Sequence, residues 1–460
     1  MGTLMTFVDT GFSRSTHHGA FNRENTLERL LGDLDRGFQF DHRPDLAGLV
    51  NWSAGRNAPF HRWFRYREAF SPDLISRLNL GKRILDPFCG CGSTLIGAMQ
   101  TNRSAIGIDL NPLASFVSKV KVTALSNEEL TSIQRFLPRL AEIDFSKGGE
   151  IHLPDLSIAA KVFEPIVART LMKIRAAITS APISSEARDF LMLGWLGILE
   201  DVGSYFKEGN GIKYRKMQRR PGRYVEKEPG VWQNARFGSD QAQYVIDRYQ
   251  RHLASMLADA KLWTAMDGRS EIFNGNALDL LDLADGAFDG IIFSPPYANR
   301  FDYFESMKVE LWFGGFVNSY DQLKRLRKES LRSHLGANMS RSTTSFSELE
   351  SLLDTMDRKA SSWRMGVPEL LRGYFSDIVE VLKQCRKKLI SGACHVVVGN
   401  SAFAGTIIPS DVLTAIAGQK AGFTNAEIWV TRHLTVAPQQ RNRLAGLERY
   451  MRESIVVLTP

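Results

Sequence analysis

Two short segments carry residue types at spacings that could act on a bound ligand. In "LDPFCGCGST", Asp86 ends an apolar run, and Gly90 and Gly92 punctuate the turn that follows. The glycines let the backbone approach a ligand closely, and the helical run after them offers free N–H groups. In "IIFSPPY", an apolar strand-like run leaves through Ser294 and two prolines. Because proline lacks an N–H, this stiff turn is suited to accepting hydrogen bonds from a ligand.

A second acidic residue limits the chemical class of the ligand. Asp109 ends the next strand-like run about 20 residues further on, the offset at which a carboxylate reaches a ribose diol. A dinucleotide site would also need a third glycine, but that position holds Leu95. The acid at Asp86 repels phosphate and suits an ammonium group. The predicted ligand is therefore a nucleoside that carries an ammonium group, and S-adenosylmethionine is the obvious candidate.

The elements that must position these residues can be read from apolar runs bounded by turn residues. Strands are predicted at 83–86, 105–109, 271–274, 288–293, 394–399, 426–430 and 454–458. Helical patterns separate most of them, which is typical of a doubly wound α/β sheet.

Two gaps between these strands, of about 160 and about 100 residues, exceed what a crossover requires. The sequence therefore predicts insertions into a discontinuous domain. The predicted parts are an N-terminal extension 1–57, a catalytic domain 58–124 and 270–460, a mainly helical insertion 125–269, and a second basic insertion 317–365.

Composition bounds the class of protein. Of 460 residues 43% are hydrophobic, and 58 Lys plus Arg against 50 Asp plus Glu give a formal charge of +8. That charge fits a polyanionic partner. The four cysteines show no zinc or disulfide pattern, so no metal is expected. The N-terminal stretch lacks the features of a secretory signal, and the longest apolar run, 190–199, is too short to span a bilayer. We therefore expect a cytoplasmic protein without a membrane partner.

The motifs "DPFCGCGST", "IGIDLNP", "NGNALDLL" and "SPPY", in this order, resemble those of the DNA amino-methyltransferases. These enzymes methylate the exocyclic nitrogen of cytosine or adenine. The resemblance covers 60–112, 271–315 and the trailing strands. It implies a Rossmann-like class I methyltransferase fold with a mostly parallel seven-stranded sheet and helices on both faces. The cofactor would lie at the carboxyl ends of the first strands, and the target base against the fourth.

The resemblance also implies cofactor contacts. Asp86 would hold the cofactor's amino group, Asp109 the ribose hydroxyls, and Asn276 would stand near the adenine amino group. The segment 58–75 resembles the part of the family that closes over the methionine carboxylate, or is a plain amphipathic helix start. The implied cofactor set is Asp86, Phe88, Gly90, Gly92, Ser93, Thr94, Asp109, Leu110, Asn276 and Ala277.

The resemblance also implies a role for the turn that begins at Ser294. An exocyclic amine is a poor nucleophile because its lone pair is delocalised into the ring. Acceptors at Ser294 Oγ and the Pro295 carbonyl would bind both amine hydrogens and help to localise that lone pair. Tyr297 would stack on the base after it leaves the duplex. The catalytic set is Ser294, Pro295, Pro296 and Tyr297, whereas Cys89 and Cys91 are expected to be packing or loop residues.

Two basic segments are the predicted DNA-binding regions, because Lys and Arg contact phosphates while aromatic side chains stack on or wedge beside bases. The first, 207–238, is rich in glycine and aromatic residues. The second, 321–345, is a basic helix followed by a Ser/Thr-rich loop that we expect to be mobile. Their candidate contacts are Lys213, Arg215, Lys216, Arg219, Arg220 and Arg223, and Lys324, Arg325 and Arg327.

These features predict a site-specific DNA methyltransferase that acts on N4 of cytosine, in restriction-modification or host DNA modification. Ser294 stands where adenine-specific relatives carry Asp or Asn, which favours cytosine. Methylation of adenine N6 stays open, as do an RNA guanine-N2 methyltransferase and a non-catalytic DNA-binding protein on this scaffold. The expected partner is double-stranded DNA, and a cognate restriction endonuclease is left open.

Overall fold

The computed structural model describes residues 15–140, 143, 152–209, 211–215, 217–220, 223–226, 233, 235–265, 268–436 and 440–460. For residues 15–25, 53, 54, 217–220, 223–226, 264 and 265 it gives the backbone alone.

The molecule is built on one large sheet. Its strands and those of three hairpins are β1 Gln39–His42, β2 Arg83–Asp86, β3 Ser104–Asp109, β4 Tyr205–Glu208, β5 Gly211–Tyr214, β6 Met217–Arg220, β7 Arg223–Glu226, β8 Arg269–Asn274, β9 Gly290–Phe293, β10 Cys394–Gly399, β11 Ser401–Phe403, β12 Thr406–Ile408, β13 Asn425–His433 and β14 Arg452–Thr459. The large sheet has the order β1-β13-β14-β10-β9-β2-β3-β8. Only β14 runs antiparallel to its neighbours in it. The predicted mostly parallel methyltransferase sheet is confirmed.

Helices cover the sheet and fill the insertions. They are α1 Ser15–Arg36, α2 Trp52–Gly55, α3 Leu74–Arg77, α4 Ser93–Gln100, α5 Pro112–Val122, α6 Asn127–Arg139, α7 Ala159–Val162, α8 Pro165–Ser180, α9 Ser185–Val202, α10 Gln241–Ala260, α11 Tyr303–Ser306, α12 Lys308–Gly314, α13 Tyr320–Glu329, α14 Ser347–Asp354, α15 Ser361–Arg364, α16 Val367–Lys388 and α17 Ser410–Lys420. Helices α6 to α10 belong to the predicted helical insertion.

The central strands are buried on both faces, which explains their continuous apolar runs. Ile84 of β2 and Ile292 of β9 face a core that they share with α3 and α4. Leu85 and Ile291, their neighbours in sequence, face the opposite core, which they share with α16 and α17. Alternation along each strand therefore places helices on both faces of the sheet, as predicted.

The sheet has one strand more than predicted. Strand β1 comes from the segment 1–57 and pairs in parallel with β13. Arg452 of β14 ties this segment to the core, because its guanidinium donates to Asp35 at 2.8 Å and to Asp411 at 2.9 Å. With the sequence "QFDH", β1 carries no run of apolar residues that could signal a strand.

None of the helices in the described part of the chain combines the length and apolar character that a membrane span requires.

Candidate active site

A cavity opens at the carboxyl ends of β2, β3, β8 and β9. The chain order of the sheet reverses between β2 and β9, and crevices at such points bind ligands in α/β proteins. The cavity encloses about 890 Å³, counting its open mouth. The predicted site residues that line it are Phe88, Gly90, Ser93, Asp109, Leu110, Asn276, Ala277, Ser294 and Pro296.

The other predicted residues of the two sets are not on the cavity wall: Asp86, Gly92, Thr94, Pro295 and Tyr297. Asp86 is 1% exposed and lies beneath the glycine turn. Its Oδ1 accepts a hydrogen bond from the Phe88 N–H at 3.0 Å, and its Oδ2 accepts from the Thr94 hydroxyl. Burial raises the pKa of Asp86 to about 7. Asp86 therefore supports the turn from beneath and does not line the cavity.

The turn needs glycine at two positions. Gly90 and Gly92 have φ values of 52° and 87°, in the left-handed region that other residues rarely adopt. A Cβ at Gly92 would also lie 3.1 Å from the Ser118 hydroxyl. That hydroxyl donates to the Gly90 carbonyl at 2.7 Å, so α5 holds the turn in place.

Asp109 ends β3 on the cavity wall. Its Oδ2 accepts from the Gly90 N–H at 2.9 Å, and its Oδ1 accepts from the Asn111 N–H at 2.8 Å. Burial raises the pKa of Asp109 to about 6. The carboxylate therefore braces the glycine turn and still faces the cavity, where each oxygen retains a further lone pair.

Asn276 connects the cavity to the second insertion. Its Oδ1 accepts from the Leu278 N–H at 3.0 Å, and its Nδ2 donates to the Glu329 carbonyl at 3.0 Å, at the end of α13. The residues that follow α13 complete this wall: Ser330, Leu331, Ser333 and His334. Sequence reasoning did not identify them, because no local pattern marks a loop that lies against a distant turn.

The same loop was expected to be mobile, but Arg332 ties it to the core. Arg332 is 2% exposed and donates from Nη2 to Asp377 Oδ1 at 2.7 Å. It also donates to the carbonyls of Arg341 and Ser342 at 2.9 and 3.1 Å. A buried, fully bonded guanidinium fixes the loop against α16.

The Ser-Pro-Pro-Tyr turn follows β9. The Ser294 hydroxyl donates to the Val397 carbonyl of β10 at 3.2 Å. Tyr297 is held by a second strand: its hydroxyl donates to Oε1 of Glu453, on β14, at 3.0 Å. Its ring packs on Gly399, where an added Cβ would come within 2.8 Å of the ring. Glu453 and Gly399 are functional neighbours that sequence reasoning missed, since both lie on strands more than a hundred residues away.

Segment 58–75 also borders the cavity, although it is not one continuous helix. It forms a short 3-10 turn, His61–Trp63, and then α3. Between them, Tyr66, Glu68 and Phe70 reach the cavity wall. Tyr303 and Phe304, two aromatic residues that follow the Ser-Pro-Pro-Tyr turn, also line the cavity.

Cys89 and Cys91 are both buried without a disulfide. Burial raises the pKa of both thiols above the ordinary value, which opposes formation of a reactive thiolate. This fits the packing role expected of them.

The predicted DNA contacts of the first insertion divide into two groups. Lys213 is exposed on β5 and pairs with Glu208 at 2.8 Å, and Arg215 turns inward to the Glu200 carbonyl at 3.2 Å. Strands β6 and β7, together called hairpin β6-β7, pair Arg220 with Arg223 and Arg219 with Tyr224. The side chains of that hairpin are not described, and Lys216 lies outside the described residues.

In the second insertion, Lys324 and Arg325 are exposed on α13. Arg327 of the same helix points inward and pairs with Asp302 at 2.6 Å. Arg327 therefore joins α13 to the segment after the Ser-Pro-Pro-Tyr turn. Of the three predicted contacts on this helix, Lys324 and Arg325 face solvent.

Comparison with known proteins gives relatives along most of the chain. The Type II methyltransferase M.BsoBI of Geobacillus stearothermophilus is 24% identical over 427 residues, which cover 84% of this chain and 82% of the relative. The Type II methyltransferase M.AvaI of Nostoc sp. is 24% identical over 411 residues, covering 83% of each. A shorter match, 31% identical over 102 residues, joins 21% of this chain to 19% of the Type II methyltransferase M.MjaII of Methanocaldococcus jannaschii. No family model matches the chain.

Proposed function

We propose that the chain belongs to the DNA amino-methyltransferase family, as its similarity to Type II methyltransferases supports, and that it is a site-specific methyltransferase of double-stranded DNA. It would use S-adenosylmethionine as methyl donor and transfer the methyl group to N4 of cytosine. The relatives are Type II methyltransferases by name, which supports a role in restriction-modification beside a cognate endonuclease.

The cavity suits this cofactor. Its wall carries two carboxylates, Glu68 and Asp109, and no Lys or Arg among the described lining residues. Such a wall favours a ligand that carries positive charge and hydroxyl donors, and disfavours a phosphate. When bound, the cofactor supplies an electrophilic methyl group on a positively charged sulfur, so the attack needs no protein nucleophile.

The hydrogen-bond direction at Ser294 is the observation that carries the proposal. The hydroxyl has one proton, and it donates that proton to the Val397 carbonyl. Only lone pairs then remain for a ligand. Pro295 adds a carbonyl, and neither proline of the turn has an N–H. The turn therefore presents acceptors to its ligand, and an exocyclic amine is the part of a base that donates two hydrogen bonds.

The preference for cytosine rests on the neutral hydroxyl at Ser294. Adenine N6 is the second candidate, because a hydroxyl can accept from either amine. Mass spectrometry of nucleosides from DNA methylated by the purified protein is the test. We expect N4-methylcytosine; N6-methyladenine would move the target to the second candidate. Methylated RNA with untouched DNA, or no methylation at all, would contradict the proposed activity.

Ionisation of Asp109 predicts how cofactor affinity depends on pH. Its raised pKa of about 6 means that the protonated form is populated in mildly acidic solution, whereas ribose hydroxyls donate best to the ionised form. Affinity for S-adenosylmethionine should therefore fall as pH drops through about 6, by up to roughly tenfold per pH unit. Calorimetric titrations between about pH 7.5 and about pH 5 measure it. The Asp109→Asn variant should lack this component, and an equally steep fall in that variant would contradict the assignment.

Hairpin β6-β7 is the proposed DNA grip of the first insertion, because a two-stranded ribbon fits the major groove. Replacing Arg219, Arg220 and Arg223 together by glutamine should weaken DNA binding and reduce the slope of log K against log salt by about 0.9 for each lost phosphate contact. Replacing Arg29 and Arg36, exposed arginines of α1, is the matched control. Equal slopes in all three proteins would show that the hairpin does not grip DNA.

A further inference from the structure

We propose that Glu68, rather than Asp86, binds the ammonium group of the cofactor's methionine part. This assignment rests on the proposed function, since it takes S-adenosylmethionine as the ligand. It departs from the sequence expectation, which gave that contact to the acid at the end of β2.

Glu68 is held at the right place. It lines the cavity together with Gly90 and Asp109. Two anchors fix its segment. Upstream, buried Asp259 accepts from the Phe60 N–H at 3.2 Å and from Trp63 Nε1 at 2.9 Å. Downstream, the Ser93 hydroxyl at the start of α4 donates to the Phe70 carbonyl at 2.7 Å, so the segment is attached to the glycine turn itself.

Within the described residues, the Glu68 carboxylate forms no ion pair and no hydrogen bond with another side chain. Its basic neighbours are engaged elsewhere, as Arg67 pairs with Glu200 at 3.0 Å and Lys207 pairs with Glu310 at 2.8 Å. Burial raises the pKa of Glu68. Lys207 and Arg67 attract Glu68 without forming an ion pair with it, and burial still outweighs that attraction. A ligand cation in direct contact with the carboxylate would offset the remaining cost of its burial.

Asp86 is in the opposite situation. Both of its oxygens accept hydrogen bonds from the protein, and it lies under the turn instead of on the wall. Of the two carboxylates that do line the cavity, Asp109 is braced by two backbone N–H groups and suits the ribose. Glu68 is the acid left for the ammonium group.

The test compares ligands with and without the ammonium group of the methionine part. S-adenosylmethionine and S-adenosylhomocysteine carry the ammonium, and methylthioadenosine keeps the nucleoside but lacks the amino-acid part. Calorimetry on the full chain should show that Glu68→Gln loses about 10-fold to 100-fold in affinity for the first two ligands. Its affinity for methylthioadenosine should stay within about twofold of the wild type. Without ligand, the variant should melt no lower than the wild type, because it removes an unpaired carboxylate.

Two controls separate the outcomes. Asp109→Asn should weaken all three ligands, since all three contain the ribose. Asp86→Asn should show no loss specific to the ammonium ligands. The assignment is overturned if Glu68→Gln binds every ligand like the wild type, if it loses all three equally, or if the selective loss belongs to Asp86→Asn. A wild-type protein that binds S-adenosylmethionine and methylates DNA keeps the proposed function in each case, whereas one that binds no cofactor overturns both.

A separate observation concerns the DNA side of the reactive turn: we infer that Arg300 contacts a backbone phosphate of the target strand. Arg300 has a φ of 67°, a costly value for a bulky residue and one that tends to occur at functional sites. The loop imposes it, since the Asn299 N–H donates to the Tyr297 carbonyl at 2.7 Å and the Phe301 N–H donates to Asn299 Oδ1 at 3.0 Å.

The Arg300 guanidinium is not neutralised. Its Nε is buried without an acceptor, and its Nη2 meets only the Met365 sulfur, at 4.0 Å, among the described residues. Arg364, next to that methionine, is exposed and also has no acidic partner in the described part of the chain. Two free cations beside the turn that would receive the flipped base are suited to a phosphate anion.

Arg300→Gly separates this role from folding, because glycine accepts the left-handed backbone without strain. We expect the variant to melt at or above the wild-type temperature. Its binding to sheared, unmodified genomic DNA should have a salt slope lower by about one unit, and its methylation of that DNA should be slower. Arg29→Gln, an exposed arginine on α1, is the control and should change neither. An unchanged slope and rate, or a clear fall in melting temperature, would overturn the inference.

Discussion

Replacement of Tyr297 or Ser294 by alanine is expected to slow methyl transfer by about 100-fold while cofactor affinity stays within about twofold. Ser294 presents only lone pairs toward a ligand, because its proton is donated to Val397. Alanine removes that acceptor, and the amine then lacks one of the two groups that localise its lone pair. The proposed role of Tyr297 is to stack on the flipped base, a contact worth about 1–3 kcal/mol. Single-turnover methylation assays and calorimetry with the same proteins measure the two effects separately.

Two further variants test whether methyl transfer depends on the ring of Tyr297 or on its hydroxyl. Tyr297→Phe keeps the ring and loses one hydrogen bond to Glu453, so a loss of about 1 kcal/mol or less in transition-state stabilisation is expected. Gly399→Ala places a Cβ within 2.8 Å of the ring and should slow the reaction although it alters no polar group. If Ser294→Ala and Tyr297→Ala lose cofactor affinity in proportion to rate, these residues belong to the cofactor site and not to the methyl-transfer site.

Replacement of Asp109 by alanine should weaken S-adenosylmethionine binding by about 100-fold or more. The carboxylate has two tasks: it faces the cavity, and it accepts from the backbone N–H groups of Gly90 and Asn111. Alanine removes the contact with the ribose and also leaves two backbone donors without their acceptor, each worth about 1–3 kcal/mol when buried. Calorimetry reports the affinity, and thermal melting reports the cost to the apo protein.

Asp109→Asn is the matched comparison. An amide oxygen can still accept from one backbone N–H, so the fold should suffer less, while the loss of charge still weakens the contact with the ribose. Equal affinity in wild type, Asp109→Asn and Asp109→Ala would exclude Asp109 from the cofactor site. A loss confined to Asp109→Ala would show that it acts only through the glycine turn.

Local chemistry explains what could be predicted from the sequence. Strands β2 and β10 begin and end at the predicted residues, because apolar runs bounded by turn residues are visible within a few positions. The two glycines predicted to let the backbone approach a ligand lie in the turn after β2, and both have positive φ values. The Ser-Pro-Pro-Tyr turn could be assigned acceptor character from covalent structure alone, since proline has no N–H.

Other features required contacts between distant parts of the chain. Strand β1 has no apolar run and was not predicted; it joins the sheet through backbone pairing with β13 and is tied there by Arg452. The loop after α13 was expected to be mobile, but the buried Arg332–Asp377 pair holds it against the cavity. The sequence around Arg452 and Arg332 does not distinguish them from arginines that are exposed to solvent.

The two acids of the cofactor site show this division most clearly. Residue types and spacing predict a positively charged nucleoside at the ends of β2 and β3. Which acid lines the cavity depends on the folded arrangement and could not be predicted from the sequence. Asp86 is buried beneath the turn with both oxygens bonded, whereas Glu68 arrives from a segment fixed by Asp259 of the helical insertion. The hydrogen bonds of Asp86 come from nearby Phe88 and Thr94. The position of Glu68 instead depends on Asp259, nearly two hundred positions away, and no local pattern encodes that contact.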